Sequence, residues 1–345
     1  VIKMLTKIIK AKDKTEIESA AEKSAEVIKH GGIVALPTET VYGLCANALN
    51  EKAVEKIFTA KGRPQDNPLI VHVSGMKMAE KLLLNIPELA YKLSEKFWPG
   101  PLTMIMLKRN IIPDTVSAGL SSIGVRMPNS NVFLKTIELA GVPIAAPSAN
   151  TSGKPSPTSA QHVYDDLNGK IDLLVDGGSC SVGIESTVVD IIGDVPVILR
   201  PGAVTPEDIA SVAGSVEISR HVLKEAETGK TPPSPGMKYT HYSPSADVIL
   251  VRSSDDNFKK FAESLDSNIA VVCFSEDEGK IKHKCFILGS KYDHAAQAAH
   301  LFDILREIDK CGFKKAYVRL PDVNGVGLAL YNRLIRAASF RIIDC

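Results

Sequence analysis

The proline-rich segment TGKTPPSPGMKYTHYSP, residues 228–244, constrains the fold of this chain more than any other feature. Its four prolines and two glycines exclude a helix or a central strand, because proline lacks the backbone donor that both structures need. The chain of 345 residues is also too long for one ordinary core. The sequence therefore predicts two domains, 1–213 and 246–345, joined by a linker over 214–245.

Short apolar runs recur along the first predicted domain, as expected of buried strands. These runs span residues 33–37, 69–73, 103–107, 123–127, 142–147, 171–176, 186–192 and 197–201. Helical spacing indicates helices at 17–28, 131–140 and 158–167. Asn50 and Thr205 have the side chains of helix N-caps, and Gly62 stands where a glycine would end the helix that begins at Asn50. The first domain is thus predicted to be an α/β domain of many strands.

The second predicted domain shows a similar alternation on a smaller scale. Strand-like runs at 247–251, 269–274 and 316–320 alternate with helical patterns near 255–265, 293–309 and 327–338. Such alternation is typical of a small α/β, Rossmann-like domain.

Composition and motif content exclude several classes of protein. A net charge of +1 argues against a general electrostatic grip on nucleic acid. Neither a membrane-length apolar run nor a secretory leader is evident, so we expect a cytoplasmic protein without a membrane segment. Six cysteines without a CxxC pair indicate no zinc site and no disulfide framework. The segment GSCSVGIES (178–186) has the glycine spacing of a P-loop, but Ile184 occupies the position of its lysine.

Polar and basic residues at the ends of predicted strands are the remaining candidates for chemistry. Ligands gather outside strand ends in open α/β sheets, so these residues could share one site. Arg126 is the most informative of them, because a guanidinium in an apolar strand is costly unless paired and no acid neighbours it in sequence. An anionic ligand is one natural partner. His72 is also consistent with a hydrogen-bonded core residue. Together the cations and hydroxyls favour a site that stabilises phosphate or carboxylate charge by position.

An ordered set of motifs resembles the YrdC-like family. The motifs are PTETVYGL, KGRPQDNPLIVHV, FWPGPLT, VRMP, PIAAPSANTSGKPSPTS, GIESTVVD and LRPG, and the match runs from about residue 16 to 213. SPGMKYTHYSP and the domain ending in GLALYNRLIRAA resemble the longer, two-domain form of the family. The resemblance implies a twisted, open α/β sheet with a concave cleft in the first domain.

The resemblance also implies an activity. Family members join L-threonine, bicarbonate and ATP into L-threonylcarbamoyladenylate and release pyrophosphate, with Mg²⁺ and without an organic cofactor. A downstream threonylcarbamoyl-transferase complex then modifies tRNA. Two alternatives stay open at this point: a double-stranded RNA or tRNA-binding module without catalysis, and a carbamoyl-transferring maturation factor. A weak direct contact with tRNA is compatible with the adenylate-forming activity. No metal-ligand set is expected in the protein.

The resemblance assigns roles to matching residues. The expected catalytic residues are Lys61 and Arg63, which would contact the phosphates of ATP. The expected contacts to L-threonine are Thr40, His72, Arg126, the backbone at Ala146, and Ser186, with Arg126 at the carboxylate. The expected contacts to ATP are Lys61, Arg63, Asn67, Ser122, Ser148, Asn150, Ser156, Arg200 and Tyr242. The linker resembles a gate across the cleft, with Tyr239, His241 and Tyr242 near the nucleotide, although a plain tether is the alternative.

Overall fold

The computed structural model describes residues 5–223 and 242–345, so the predicted positions of Tyr239 and His241 lie outside the described residues. Two compact units make up this part of the chain. The first contains residues 5–152, 156–181 and 185–223, and the second contains 153–155, 182–184 and 242–345. The predicted linker and domain boundaries stay predictions. In the described part of the chain, none of the helices is both long and apolar enough to cross a membrane.

The first unit is built on a mixed, eleven-stranded sheet with the order β1-β8-β2-β3-β7-β4-β6-β5-β9-β10-β11. Its strands are β1 Lys7–Lys10, β2 Val34–Leu36, β3 Gly43–Asn47, β4 Ile70–His72, β5 Leu102–Leu107, β6 Ser122–Arg126, β7 Ile144–Ala145, β8 Leu173–Asp176, β9 Thr187–Asp190, β10 Val197–Arg200 and β11 Glu217–Ile218. The open α/β sheet predicted from the sequence is confirmed. The predicted strand at 142–147 is shorter than expected, because prolines bracket it on both sides.

Eight helices accompany this sheet. They are α1 Lys14–Lys29, α2 Glu51–Lys61, α3 Met76–Ala79, α4 Glu88–Phe97, α5 Asp114–Ser117, α6 Asn131–Ala140, α7 Ala160–Leu167 and α8 Pro206–Ala213, with a 3₁₀ turn at Arg220–Val222. The side chain of Asn50 caps α2, and Gly62 ends it with φ 60° in the left-handed region. Thr205 and Asp208 form a capping box at the start of α8.

The two faces of the large sheet differ in what covers them. The main apolar cluster lies on the face that carries Val71, Val125 and Met104, together with side chains of α2 and α4. On the opposite face, α1 and α6 cover the strands around β2, β3 and β7, where Phe133 and Ile144 belong to a second apolar cluster. Further along that opposite face, over β4, β6, β5, β9 and β10, lie the side chains of the candidate site.

The second unit has a five-stranded, all-parallel sheet with the order β14-β13-β15-β12-β16. Its elements are β12 Asp247–Arg252, α9 Asp255–Glu263, β13 Ala270–Cys273, a 3₁₀ turn at Ser275–Asp277, β14 Cys285–Ile287, α10 His294–Lys310, β15 Lys315–Arg319, α11 Gly327–Ala337 and β16 Ile342–Asp344. The smaller α/β domain predicted after the proline-rich segment is confirmed as a fold.

Candidate active site

The polar face of the sheet is defined by the side chains of His72, Arg126, Thr103, Ser186 and Arg200. His72 on β4 pairs with Arg126 on β6, and Val188 on β9 pairs with both Thr103 on β5 and Arg200 on β10. Paired residues point to the same side of a sheet, and so do residues two apart on one strand. Five neighbouring strands therefore present these side chains together.

Gly124 lies two residues before Arg126 on β6, on the side of the sheet that carries the polar face. A Cβ added there would come 2.9 Å from Thr103 Cγ2, 3.2 Å from Ile105 Cδ1 and 3.7 Å from Ile70 Cγ1. Side chains from the strands on both sides of β6 thus converge over this residue. The absence of a side chain at this position lets the neighbours approach one another, as an in-strand glycine often does.

Arg126 is buried and held by three groups at one end of the polar face. Its Nε donates to the carbonyl of Gly100 at 3.1 Å, and its Nη1 donates to Thr40 Oγ1 at 2.9 Å. Its Nη2 lies 2.7 Å from Glu39 Oε1, and the two side chains are 5% and 8% exposed. The sequence offers no acid next to Arg126, but the fold supplies one from the loop after β2. Glu39 is therefore a site residue that sequence reasoning missed.

His72 stands beside Arg126 as a neutral side chain. Burial, together with the nearby Arg126 guanidinium, lowers the pKa of His72 to about 3. Its ring lies 5.1 Å from the ring of Phe133 on α6. Its Nδ1 is buried without a hydrogen-bond partner among the residues that the structure describes. A neutral imidazole with a spare polar atom can accept or donate one hydrogen bond to a ligand.

Ser186 and Arg200 occupy the other side of the polar face. Ser186 Oγ lies 2.8 Å from Thr103 Oγ1, and Arg200 donates to the carbonyl and the hydroxyl of Ser186 at 3.1 Å and 3.2 Å. All three side chains are buried. Thr103 was not predicted as a site residue, and its position inside the apolar run 102–107 gives no local signal for that role.

Lys61 connects α2 to the loop after β7. This last residue of α2 is 2% exposed. Its ammonium donates to the backbone carbonyls of Ser148 and Asn150 at 2.5 Å and 2.6 Å. The hydroxyl of Ser148 donates to Asn150 Oδ1 at 2.5 Å. These three predicted nucleotide-binding residues therefore form one cluster.

Arg63 and Asn67 lie in the turn between α2 and β4. Arg63 Nη2 donates to the carbonyls of Asn67 and Pro68 at 3.1 Å and 3.4 Å. The Asn67 side chain is 1% exposed, and neither its Nδ2 nor its Oδ1 has a hydrogen-bond partner within residues 5–223 and 242–345. An amide that is buried without partners is costly unless a ligand or water completes it.

The register of the strands relates these two groups of residues. Asn67 precedes β4 and Ser122 begins β6, whereas His72 and Arg126 end these two parallel strands. Ser122 and Arg126 are four residues apart on one strand, which corresponds to about 13 Å at roughly 3.3 Å per residue. Asn67 and Ser122 therefore lie at one end of these two strands and His72 and Arg126 at the other, whereas Arg200, a predicted nucleotide contact, is hydrogen-bonded to Ser186, a predicted threonine contact.

The remaining predicted residues have the following positions. Ala146 is buried, and its backbone N–H donates to the carbonyl of Ile70 beside the polar face. Ser156 is buried and donates to Glu185, a second acid that sequence reasoning missed. Tyr242 belongs to the second unit, where its ring stacks on Phe302 with 5.3 Å between centroids.

In the part of the chain that the structure describes, no group of three or more His, Cys, Asp or Glu side chains is arranged to hold a metal ion.

A sheet face that gathers buried cations, hydroxyls and an open amide has the composition of a site for phosphates and carboxylates. Comparison with known proteins identifies the family. The family model Sua5_yciO_yrdC, described as Telomere recombination, matches residues 26–202. The model Sua5_C, described as Threonylcarbamoyl-AMP synthase, C-terminal domain, matches residues 204–339. The chain therefore belongs to the Sua5/YciO/YrdC family, and the resemblance seen in its sequence is confirmed.

Individual relatives cover nearly the whole chain. A Pyrococcus abyssi protein named Threonylcarbamoyl-AMP synthase is 44% identical over 98% of this chain and 99% of the relative. A Bacillus subtilis protein of the same name is 42% identical over 93% of each chain. The crystal structure of P. abyssi Sua5 complexed with L-threonine is 43% identical, covers 99% of this chain and 100% of its own, and superposes with a TM-score of 0.90.

Proposed function

We propose that this protein makes L-threonylcarbamoyladenylate and pyrophosphate from L-threonine, bicarbonate and ATP. Relatives that share more than two fifths of its sequence over almost its full length carry the name of that activity. A structural relative of the same overall fold was crystallised with L-threonine. The class of enzyme is thus a nucleotidyltransferase that forms an adenylate.

One observation of the structure carries the proposal. Lys61 contacts the loop after β7 and Arg63 contacts the turn before β4, whereas His72 and Arg126 stand at the far ends of β4 and β6. The triphosphate of ATP and the carboxylate of an amino acid would need cations at two separate positions, because these negative charges repel each other unless each is neutralised.

The chemistry requires positioning more than covalent participation by the protein. The amine of L-threonine and bicarbonate form a carbamate and water. A carbamate oxygen then attacks the α-phosphorus of ATP, and the bond to pyrophosphate breaks. Phosphoryl-transfer enzymes of this kind act by alignment and by stabilising the charge of the leaving group. A protein nucleophile is unnecessary for either step.

The residues divide between the two substrates. Lys61 and Arg63 would stabilise the phosphates, while the open amide of Asn67 would hydrogen-bond to the nucleotide. The other proposed contacts to ATP are Ser122, Ser148, Asn150, Ser156, Arg200 and Tyr242. The proposed contacts to L-threonine are Thr40, His72, Arg126, Ala146 and Ser186, with the Arg126 guanidinium at the carboxylate.

Magnesium enters this reaction with ATP as part of the substrate. Mg²⁺ usually keeps several waters and binds phosphate oxygens with few protein ligands. The cation would offset phosphate charge next to Lys61 and Arg63.

The product is a reactive mixed anhydride, so a second enzyme must consume it. We propose that a threonylcarbamoyl-transferase complex passes the group to tRNA, and that any direct contact of this protein with tRNA is weak at its net charge of +1. The supply of ATP and tRNA makes the cytoplasm the proposed location.

A pyrophosphate-release assay tests the proposed function. The full chain is incubated with MgATP, bicarbonate and a panel of single amino acids, and pyrophosphate is measured. Release should require bicarbonate and be fastest with L-threonine. Arg126→Gln should raise the KM for threonine at least about tenfold, because a buried charge contact to the carboxylate is lost. Arg109→Gln, at an exposed arginine, is the matched control. Release that is independent of the amino acid would contradict the proposal.

A further inference from the structure

Glu39 is a buried carboxylate whose hydrogen-bonding capacity is unused. Its side chain is 8% exposed and forms an ion pair with Arg126, at 2.7 Å between Oε1 and Nη2. Across the described residues, neither Glu39 oxygen accepts a hydrogen bond. A buried carboxylate normally accepts several, so this one has room for a further donor.

Arg126 has more hydrogen-bond partners than Glu39. Its Nε and Nη1 have partners in Gly100 and Thr40, whereas its Nη2 has only the ion pair with Glu39. Arg126 and Glu39 are thus two opposite charges, side by side, and Arg126 Nη2 and both Glu39 oxygens lack a hydrogen bond within the described residues. An α-amino acid carries the complementary pair of charges on adjacent groups.

The predicted threonine contacts include no negatively charged side chain that could pair with the α-ammonium of the amino acid. Thr40, His72, Ala146 and Ser186 are neutral, since the His72 imidazole is held uncharged, and Arg126 is itself a cation. A bound ammonium next to Arg126 without a carboxylate would be strongly disfavoured in a buried site.

We propose that Glu39 binds the α-ammonium of the amino acid substrate while Arg126 binds its carboxylate. This inference rests on the proposed function and adds a residue to it. In the absence of substrate, Glu39 and Arg126 would neutralise each other. When the amino acid binds, its ammonium would contact Glu39 and its carboxylate would contact Arg126. The pair therefore selects for an α-amino acid, and the hydroxyl contacts select among amino acids.

A cavity borders Glu39. It has a volume of about 260 Å³ and is lined mainly by polar residues, among them Thr38, Ser130 and Ser179, but its lining does not include Arg126. The ordinary structural alternative is that Glu39 only neutralises Arg126. The two explanations differ in one respect: only the proposed contact depends on the amino group of the ligand.

Isothermal titration calorimetry with two ligands tests this difference. L-threonine carries the ammonium, and (R)-3-hydroxybutyrate is the same molecule without its α-amino group. In the wild-type chain, threonine should bind at least about tenfold more tightly. In Glu39→Gln, threonine should bind about 10- to 100-fold more weakly, while binding of (R)-3-hydroxybutyrate should stay within about threefold. Glu39→Asp, which keeps the charge, should retain much of the preference for threonine.

Asp277→Asn is the matched control, because Asp277 and Arg319 form another buried pair, at 2.6 Å with side chains 8% and 4% exposed. This variant should lower the melting temperature without changing the ratio of the two affinities. Equal weakening of both ligands in Glu39→Gln would overturn the proposal, and so would wild-type protein that binds both ligands equally well. The second outcome requires no variant to fold. Threonine binding without pyrophosphate release would instead contradict the proposed function alone.

Discussion

Replacement of Lys61 by methionine tests whether this lysine stabilises the loop at Ser148 and Asn150 in addition to its proposed contact with the nucleotide. Lys61 is 2% exposed, and its ammonium donates to the carbonyls of Ser148 and Asn150. Methionine keeps an apolar stem but leaves both carbonyls without this donor. Each hydrogen bond to a charged group contributes about 1.5–3 kcal/mol, and burying the ammonium offsets part of that. We therefore expect the free energy of unfolding to fall by about 2–4 kcal/mol.

Scanning calorimetry of the full chain measures this effect. A loss of 1 kcal/mol lowers Tm by about 2–4 °C in a unit of this size, so the Lys61→Met variant should melt about 5–15 °C earlier. It should also release little pyrophosphate, because the phosphates lose a cation. Lys52→Met, at an exposed position of the same helix, should melt within about 2 °C of wild type. A Lys61→Met variant that melts with this control would refute the reasoning, since the two contacts would then contribute nothing.

Acid unfolding, packing and thiol chemistry provide further tests. The folded His72 ring stays neutral down to about pH 3, whereas the unfolded ring protonates near 6.5, so its contribution to stability is full above 6.5 and decreases as the pH falls toward 3. His72→Gln should flatten the dependence of Tm on pH in that window, and an unchanged slope would contradict the assignment. Gly124→Ala should cost about 1–3 kcal/mol and raise the KM for threonine, because its Cβ would come within 2.9 Å of a neighbouring side chain. Gly193→Ala, which meets nothing within 4 Å, is its control in urea unfolding and kinetics. A thiol reagent should modify the exposed Cys311 but not Cys180, whose buried thiol has a pKa raised to about 12. Mass spectrometry measures which cysteine is modified, and modification of Cys180 before Cys311 would contradict the prediction.

Short-range chemistry explains which parts of the fold the sequence predicts. The caps at Asn50 and Thr205 and the glycine at 62 act within a few residues, and each marks the helix end that the structure has. The strand Gly43–Asn47 carries no comparable signal, because GLCAN has small residues and no polar–apolar alternation. It becomes a strand through pairing with β2 and β7, which is decided by distant segments.

The candidate site shows the same division between local and distant information. A guanidinium in the apolar strand SIGVR indicates that Arg126 needs an anionic partner. The identity of the partner depends on the loop after β2, which meets Arg126 only in the folded chain. The motif containing Lys61 likewise predicts contact with phosphate, but its hydrogen bonds to the carbonyls of Ser148 and Asn150 follow only from how the chain brings the end of α2 to the loop after β7.

The direction of the reaction along the polar face follows from the positions of its charges. An in-line displacement places the attacking oxygen and the leaving oxygen on opposite sides of phosphorus. If the carbamate forms at the Arg126 end of β6, pyrophosphate must leave toward the other end, about 13 Å away at Ser122 by strand geometry. That end adjoins the turn with Arg63 and Asn67. The α-phosphorus would then lie between the two ends, near Gly124, where the side chains of Thr103, Ile105 and Ile70 converge.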